Sequence, residues 1–309
     1  MRFRTLTLTV EQCYHIPGGE RSQKEGIMDS ETRPVDPSSV LFFPDICYGT
    51  ADGIALFLDI LRPAMPSREA LPVVMHIHGG GWYTGDKRWV AQGQQLVRPN
   101  LLFASHGFFT ISVNYRLSHQ ACFPAQLEDV KAAVRWVRAQ ASHYHLDAEH
   151  IGVWGNSAGG HLAALLGFTA DLPNLEGKSG SPGYSSRVQA VVDLWGAMEL
   201  SAMWTHTPET IQGITQLVGT SPHTHPDLLR RASPMTYLHK DAPPFLIVHG
   251  EQDKLVPVEQ SDMLYHALQD AGVQATFLRI PEEGHDFGGT RLAEVEQIML
   301  TFFSQHLHL

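Results

Sequence analysis

The chain is poor in cysteine and in positive charge, and it has no long apolar run. Only three cysteines occur in 309 residues, Cys13, Cys47 and Cys122. They are scattered and odd in number, and no C-x-x-C is present. That argues against a disulfide framework and against a thiolate zinc or redox site. Lysine and arginine total 22 against 32 aspartates and glutamates, for a net charge of -10. A nucleic-acid partner is not expected, because phosphate binding needs clustered cations and none are clustered. No apolar stretch approaches the roughly 18 residues of a membrane span, so no membrane partner is expected. The opening "MRFRTLTLTVEQ" alternates Thr with Leu and meets Glu11 early, so it lacks the apolar core of a secretion signal. A cytoplasmic location is the default expectation, and a secreted form with its leader removed would read the same.

What is present is an ordinary folded composition, 43% hydrophobic and 17% charged. Residues 1–45 contain "IPGGERSQKEG" and "ETRPVDPSS" and read as an irregular N-terminal arm. From residue 46 to 309, strand-like and helix-like stretches alternate. "LPVVMHIHGG" and "GFFTISVNYR" are short apolar runs, as suits strands buried on both faces of a parallel sheet. In "FPAQLEDVKAAVRWVRAQASHY", Leu127, Val130, Val134 and Val137 recur at three or four residues, the period of a helix. Strand-like "HIGVWG", "RVQAVVDLWG", "APPFLIVHG" and "VQATFLRIP" are interleaved with helix-like segments that end in "RLAEVEQIMLTFFSQHL". The pattern predicts one α/β domain, a mostly parallel sheet with helices on both faces. Residues 197–240 are mixed in Pro, His and Thr and read as a small lid-like insertion.

Four motifs then fall at strand ends. "GNSAGG" places Ser157 in a G-x-S-x-G turn between a strand and a helix, the context in which such a turn exposes a nucleophile. A phosphate loop is excluded at this turn, because Gly152, Gly155 and Gly159 do not fit G-x-G-x-x-G and no Gly-Lys-Ser/Thr directly follows them. "HIHGGGWYTGD" ends an earlier strand with glycines that let backbone N–H groups approach a developing oxyanion. "LIVHGEQDKLVP" carries Asp253 just past a strand, with Glu251 as the nearer rival. "LRIPEEGHDF" carries His285. The order Ser157, Asp253, His285 is the α/β-hydrolase order rather than that of chymotrypsin or subtilisin. A serine hydroxyl needs a base to become a nucleophile, and a carboxylate to hold that base in one tautomer.

Together H-G-G-G-W, G-N-S-A-G-G-H, the "HGEQDKLVP" loop and "GHDF" resemble the α/β-hydrolase esterases related to hormone-sensitive lipase. "YGTADGIALFLDILRP", "SAGGHLAALL" and "SPMTYLHKDAPPFLIVHGEQDKLVP" are most similar to the branch that includes bifunctional feruloyl and acetyl-xylan esterases. The resemblance covers roughly residues 46–307. It implies an α/β-hydrolase fold and a carboxylic-ester hydrolase without cofactor. It carries nucleophile onto Ser157, acid onto Asp253 and base onto His285, and oxyanion donors onto the backbones of Gly80, Gly81 and Ala158. The implied partner is a small-molecule ester of a short acyl, feruloyl, aryl or acetyl type. Two departures stand out. Asn156 occupies the place where relatives commonly have Asp, and the arm lacks the clear helices of an N-terminal cap. "HGGGW" is also similar to arylformamidases, so amide hydrolysis by the same residues remains an alternative. A ligand-binding homologue without catalysis is a second alternative.

Trp82, Tyr83, Trp195, Met198 and Trp204 lie in or near loops at the strand ends, where ligands bind in open α/β sheets. They are the candidate substrate-binding residues, with ordinary core packing as the competing reading. Asp262 and Asp286 read as solvent-facing or locally hydrogen-bonded. Asp129 reads either as a loop brace or as an exposed helix carboxylate. The eighteen histidines include H-x-H at His76 and His78, but no third ligand is placed to complete a metal site, and none is expected. The sequence leaves a homodimer open.

Overall fold

The computed structural model describes residues 39–309, apart from residues 66, 89, 92–93, 96–97, 204–205 and 288–290. The arm therefore lies almost entirely outside the described residues. Eight strands make the main sheet: β1 (Val40–Ala51), β2 (Ile54–Pro63), β3 (Leu71–Ile77), β4 (Phe109–Val113), β5 (Leu146–Asn156), β6 (Ala190–Leu194), β7 (Phe245–Gly250) and β8 (Ala275–Ile280). Their order is β1-β2-β4-β3-β5-β6-β7-β8. β2 runs antiparallel to both its neighbours, and β3 to β8 are parallel throughout.

The first strand shortens the irregular arm that the sequence predicts over residues 1–45. β1 begins at Val40 and pairs with β2, although it contains Pro44. Its register shifts between Phe43 and Ile46, where Asp45 has φ 56°. A bulge on an edge strand is where a proline lacking its N–H is tolerated. The Asp45 N–H instead donates to the Asp59 carboxylate (2.8 Å).

The helices are α1 (Arg98–Ser105), α2 (Ala125–Tyr144), α3 (Ala158–Phe168), α4 (Leu200–Met203), α5 (Pro208–Val218), α6 (Pro226–Ala232), α7 (Glu259–Asp270) and α8 (Leu292–His306). Every residue of β3, β4, β6 and β7 is buried, which explains their unbroken apolar runs. Alternate residues feed two cores. Val73, Met75 and Ile77 join Leu127, Val130 and Leu162 on the face covered by α2, α3 and α7. Val74 and Val192 join Phe103, Met299 and Phe303 on the face covered by α1 and α8. Each fully buried aliphatic side chain contributes about 1.5–3 kcal/mol, so the central strands form the rigid platform. α3 is buried over its whole length. Its sequence "AGGHLAALLGF" has no charged face, as a helix enclosed on all sides requires.

Between β6 and β7 the chain forms α4, α5, α6 and a short turn of 3-10 helix, Pro234–Tyr237. α5 is the best-specified of these. Thr207 and Thr210 cap it reciprocally, Pro208 opens it, and Gly219 closes it at φ 76°.

Candidate active site

β5 ends at Asn156 and α3 begins at Ala158, so the strand turns into the helix at a single residue, Ser157. Ser157 takes φ 54°, ψ -120°, a conformation that costs a non-glycine residue about 1–3 kcal/mol. Two hydrogen bonds hold it there: its N–H donates to Leu194 O (2.8 Å), and its carbonyl accepts from His161 N–H (3.0 Å). Two glycines of the motif answer to close approach. A Cβ on Gly155 would strike the backbone of Gly159, and one on Gly159 would strike the Ile77 carbonyl.

His285 follows β8 and points its Nε2 at Ser157 Oγ (3.1 Å). Its Nδ1 lies 2.7 Å from Asp253 Oδ2. Asp253 sits in the loop after β7. Its Oδ1 accepts from the N–H groups of Leu255 (2.8 Å) and Val256 (2.9 Å). Burial opposes its charge, but hydrogen bonds from His249, His285 and Val256 outweigh burial and hold the carboxyl well below the usual carboxylate range. Glu251, the rival acid, is exposed and paired with Arg279 (2.9 Å). Ser157, His285 and Asp253 thus form one connected line.

His249 was not singled out from the sequence. Its Nε2 faces both Asp253 Oδ2 (3.2 Å) and Val256 O (2.9 Å), and its Nδ1 faces Ser261 Oγ (2.7 Å). A carbonyl accepts only, so Nε2 carries the proton and Nδ1 accepts from the Ser261 hydroxyl. His249 therefore donates to Asp253 Oδ2, the same oxygen that His285 meets.

The loop after β3 runs beside this line. Gly80 (φ 107°), Gly81 (φ 58°) and Trp82 (φ 64°) are three successive residues in left-handed conformation. The N–H groups of Gly80, Gly81 and Ala158 take no backbone partner among the described residues. All three residues line one cleft with Ser157 and His285. Asn156, unexplained by sequence, packs its amide nitrogen so close to Gly79 that a Cβ there would lie 2.8 Å away. Its Oδ1 is buried without a hydrogen-bond partner.

The cleft has a volume of about 210 Å³. Of the candidate substrate-binding residues, Trp82 and Tyr83 line it. Trp195 and Met198 do not, and both are core residues. Trp195 is 1% exposed, with its ring against Phe287 (4.3 Å) and behind His285 (6.1 Å), and Met198 is 0% exposed. Their place at strand ends is the same, but their side chains turn inward. Trp204 lies outside the described residues. The roof comes from residues the sequence did not single out: Met203, and Glu209, Thr210 and Gly213 from one face of α5. Spacing of one and four along a helix could have found that face, but only if α5 were already known to cover the cleft. Asp286 also lines the cleft. It is half-buried rather than solvent-facing, and burial pushes its carboxyl up.

Other titratable groups are structural. Asp129 is fully buried and receives Arg116 through N–H, Nε and Nη2 (2.9, 2.8 and 2.8 Å), so it braces a loop. His76 stacks on Trp154 (4.0 Å) and His78 on Tyr115 (4.3 Å). Burial pushes their imidazoles down to about 3 and about 4. Among the described residues no group of three or more His, Cys, Asp or Glu is arranged to hold a metal ion. Among them, too, no helix is long and apolar enough to cross a membrane.

Comparison with known proteins gives concordant matches. A family model described as BD-FAE matches residues 58–268. Esterase LipQ of Mycobacterium tuberculosis is 34% identical over 249 residues, which cover 79% of this chain and 56% of that protein. Esterase LipC of the same organism is 32% identical over 269 residues, covering 84% and 64%. The chain thus spans between about half and two thirds of the length of these curated relatives. Among solved structures, a bifunctional GH43-CE protein of Bacteroides eggerthii superposes with a TM-score of 0.76 at 32% identity, covering 86% of this chain and 35% of that one. A truncated form of a carbohydrate esterase from gut microbiota superposes with a TM-score of 0.75 at 30% identity, covering 87% and 96%.

Proposed function

The chain belongs to the BD-FAE family, and on that premise we propose that it is a serine carboxylesterase that removes small acyl groups from hydroxyl-rich alcohols. The observation that carries this reading is the line Ser157 Oγ–His285 Nε2–Asp253 Oδ2 at 3.1 and 2.7 Å, with three N–H groups beside its serine end that take no backbone partner among the described residues.

In this reading the Ser157 hydroxyl donates to His285 Nε2 and attacks the ester carbonyl as the imidazole takes its proton. The carbonyl oxygen becomes negative within reach of the Gly80, Gly81 and Ala158 N–H groups, which stabilise it more than they stabilise the substrate. His285 returns the proton to the departing alcohol. A water then attacks the acyl-enzyme, giving its proton to His285, which passes it to Ser157 Oγ as the acyl–Oγ bond breaks and the acid leaves. Asp253 stays ionised throughout and holds the imidazolium.

Size and charge support the substrate class. A cleft of about 210 Å³ is below the roughly 300–1,000 Å³ of sites for drug-sized ligands, which favours acetyl-sized over long acyl chains. Glu209 and Asp286 line it, and carboxylates accept hydrogen bonds from neutral polyols. The solved neighbour named a carbohydrate esterase points the same way.

The test is a substrate panel with wild type and Ser157→Ala. It spans acetyl, butyryl and decanoyl nitrophenyl esters, acetylated xylose, methyl ferulate and N-formylkynurenine. Wild type is expected to prefer acetyl esters. The variant is expected to lose about 10⁴–10⁶-fold in kcat with the fold intact. Turnover of N-formylkynurenine above that of every ester, or an active Ser157→Ala variant, would overturn the reading.

A further inference from the structure

Three parts of the site meet at one side chain that takes no part in the chemistry. His161 lies in α3, one turn beyond the nucleophile, and is fully buried. Its backbone N–H donates to the Ser157 carbonyl (3.0 Å). Its ring Nδ1 faces Trp82 Nε1 (3.1 Å), and its Nε2 faces the Ala232 carbonyl (2.8 Å), at the end of α6. One residue thus touches the serine turn, the oxyanion loop and the end of α6.

The partners fix its protonation. An indole N–H only donates, so Nδ1 must be bare to accept it. A carbonyl only accepts, so Nε2 must carry the proton. The ring is therefore neutral, and burial favours that form. A second proton would set two N–H groups against each other.

Trp82 is where this matters. It has φ 64° directly after Gly80 and Gly81. A left-handed conformation costs a non-glycine residue roughly 1–2 kcal/mol, and it persists only where surroundings over-determine it. The Trp82 carbonyl accepts from Ser118 N–H (2.8 Å) and Oγ (3.1 Å). Its indole N–H donates to His161 Nδ1, in an edge-on ring pair at 5.0 Å. Loss of that anchor would free the loop whose N–H groups face the reacting oxygen, without altering Ser157, His285 or Asp253.

We propose that His161 is a positioning residue: through its Nδ1–Trp82 bond it holds the Gly80–Trp82 oxyanion loop in register with the serine turn of the same helix. The proposal rests on the serine-esterase reading and adds a fourth side chain to what sets the rate. It also gives Trp82 a positioning role behind its place in the cleft wall.

Two amides separate the ring's two bonds. His161→Asn keeps an acceptor near the Nδ1 position and gives up the link to Ala232. His161→Gln keeps a donor near the Nε2 position and gives up the acceptor for Trp82. On an acetyl ester, the Gln variant is expected to lose about 10- to 100-fold in kcat with KM within about twofold. That is at or below the roughly 10²–10³-fold of removing an oxyanion donor outright. The Asn variant should stay within about threefold of wild type. Trp82→Phe, which lacks the indole N–H, should match Gln, and the double variant should be no worse than either alone. Wild-type kcat in the Gln variant, equal losses in Asn and Gln, or multiplying losses in the double variant would each overturn the proposal. A different outcome marks failure of the underlying reading: wild type that neither hydrolyses any ester nor forms a Ser157 adduct with an organophosphate. Melting temperatures of all variants show whether a loss of kcat reflects unfolding.

Discussion

The floor of the cleft is pinned by backbone, whereas the roof over it is carried by side chains of short helices. On the floor, β5 passes into α3 through Ser157, and glycines 155 and 159 let strand, helix and neighbouring strand touch. No other residue type fits there, so the spacing of glycine and serine is written into the chain. The roof reaches the cleft through Met203, Glu209, Thr210 and Gly213. Many residue types would complete such a helix. On the proposed function, the contrast assigns chemistry to the floor and selectivity to the roof. Changes to the floor should alter the rate for every ester alike, and changes to the roof should alter the ratio between esters.

The largest effect belongs to Gly159→Val. Its side chain would have to occupy the space of the Ile77 and His78 carbonyls, so the turn cannot close. Activity on all esters is expected to vanish, and soluble expression with it, as read from a purification yield and a melting curve. Next comes Asp253→Asn, which leaves the loop in place but removes the acceptor that orients His285. A loss of about 10⁴-fold in kcat is expected by analogy with the same change in serine proteases. It should be uniform across the ester panel. Either result confined to one substrate would break the floor-and-roof distinction.

How much of this was legible follows the same line. Ser157, Asp253 and His285 could be read because each lies at the end of a strand whose buried run is plain, and because sharp turns there demand glycine. Asp253 over Glu251 was legible from distance along the chain alone. The inward turn of Trp195 and Met198 was not, since position at a strand end does not say where a side chain points. β1 was hidden by Pro44, whose missing N–H is absorbed by a bulge that only pairing with β2 reveals. The face of α5 was hidden because no local rule says that a helix between β6 and β7 will fold back over Gly81. His249 and His161 were hidden because their roles are fixed by partners distant in sequence or by tautomer, not by spacing.

A buried carboxylate beneath the floor gives a smaller effect, on stability rather than rate. Asp193 is fully buried; its Oδ1 accepts from Gly196 N–H (2.9 Å), and its Oδ2 has no partner. Burial pushes its carboxyl up to about 7. The folded state therefore holds a proton that the unfolded chain has already released, so the group's contribution to stability falls as pH rises from about 4 to about 7. One pKa unit is worth about 1.4 kcal/mol, so between pH 5 and pH 8 the loss is roughly 2–3 kcal/mol. Asp193→Asn keeps the acceptor for Gly196 and cannot ionise. The stability difference between wild type and variant, from urea unfolding at pH 5 and pH 8, should shift toward the variant by about that amount. A difference independent of pH would show that Asp193 does not ionise in this range.

The roof should show the converse pattern, modest in size and dependent on substrate. Gly213 packs over the Gly80–Trp82 loop, and a Cβ there would lie 3.3 Å from the Gly81 carbonyl, which would have to give slightly, and 3.7 Å from the Trp82 ring. Gly213→Leu would fill the cleft from above. A drop of about tenfold in kcat/KM is expected for butyryl esters and less for acetyl esters, a spread typical of the 1–3 kcal/mol that a methylene commands in an apolar pocket. The smallest effect is one of charge. Glu209 is exposed on α5, and Asp286 is half-buried beside His285. Both line the cleft, and its described lining contains no lysine or arginine. An ester that carries a carboxylate is therefore repelled, and a neutral or cationic one is not. Because Glu209 is open to solvent, screening limits the effect to a few-fold. Glu209→Lys should raise kcat/KM for a hemisuccinate ester about threefold over an acetate of the same alcohol, and salt should erase the gain. An equal change for both esters would mean that the roof acts on the rate rather than on the choice of substrate.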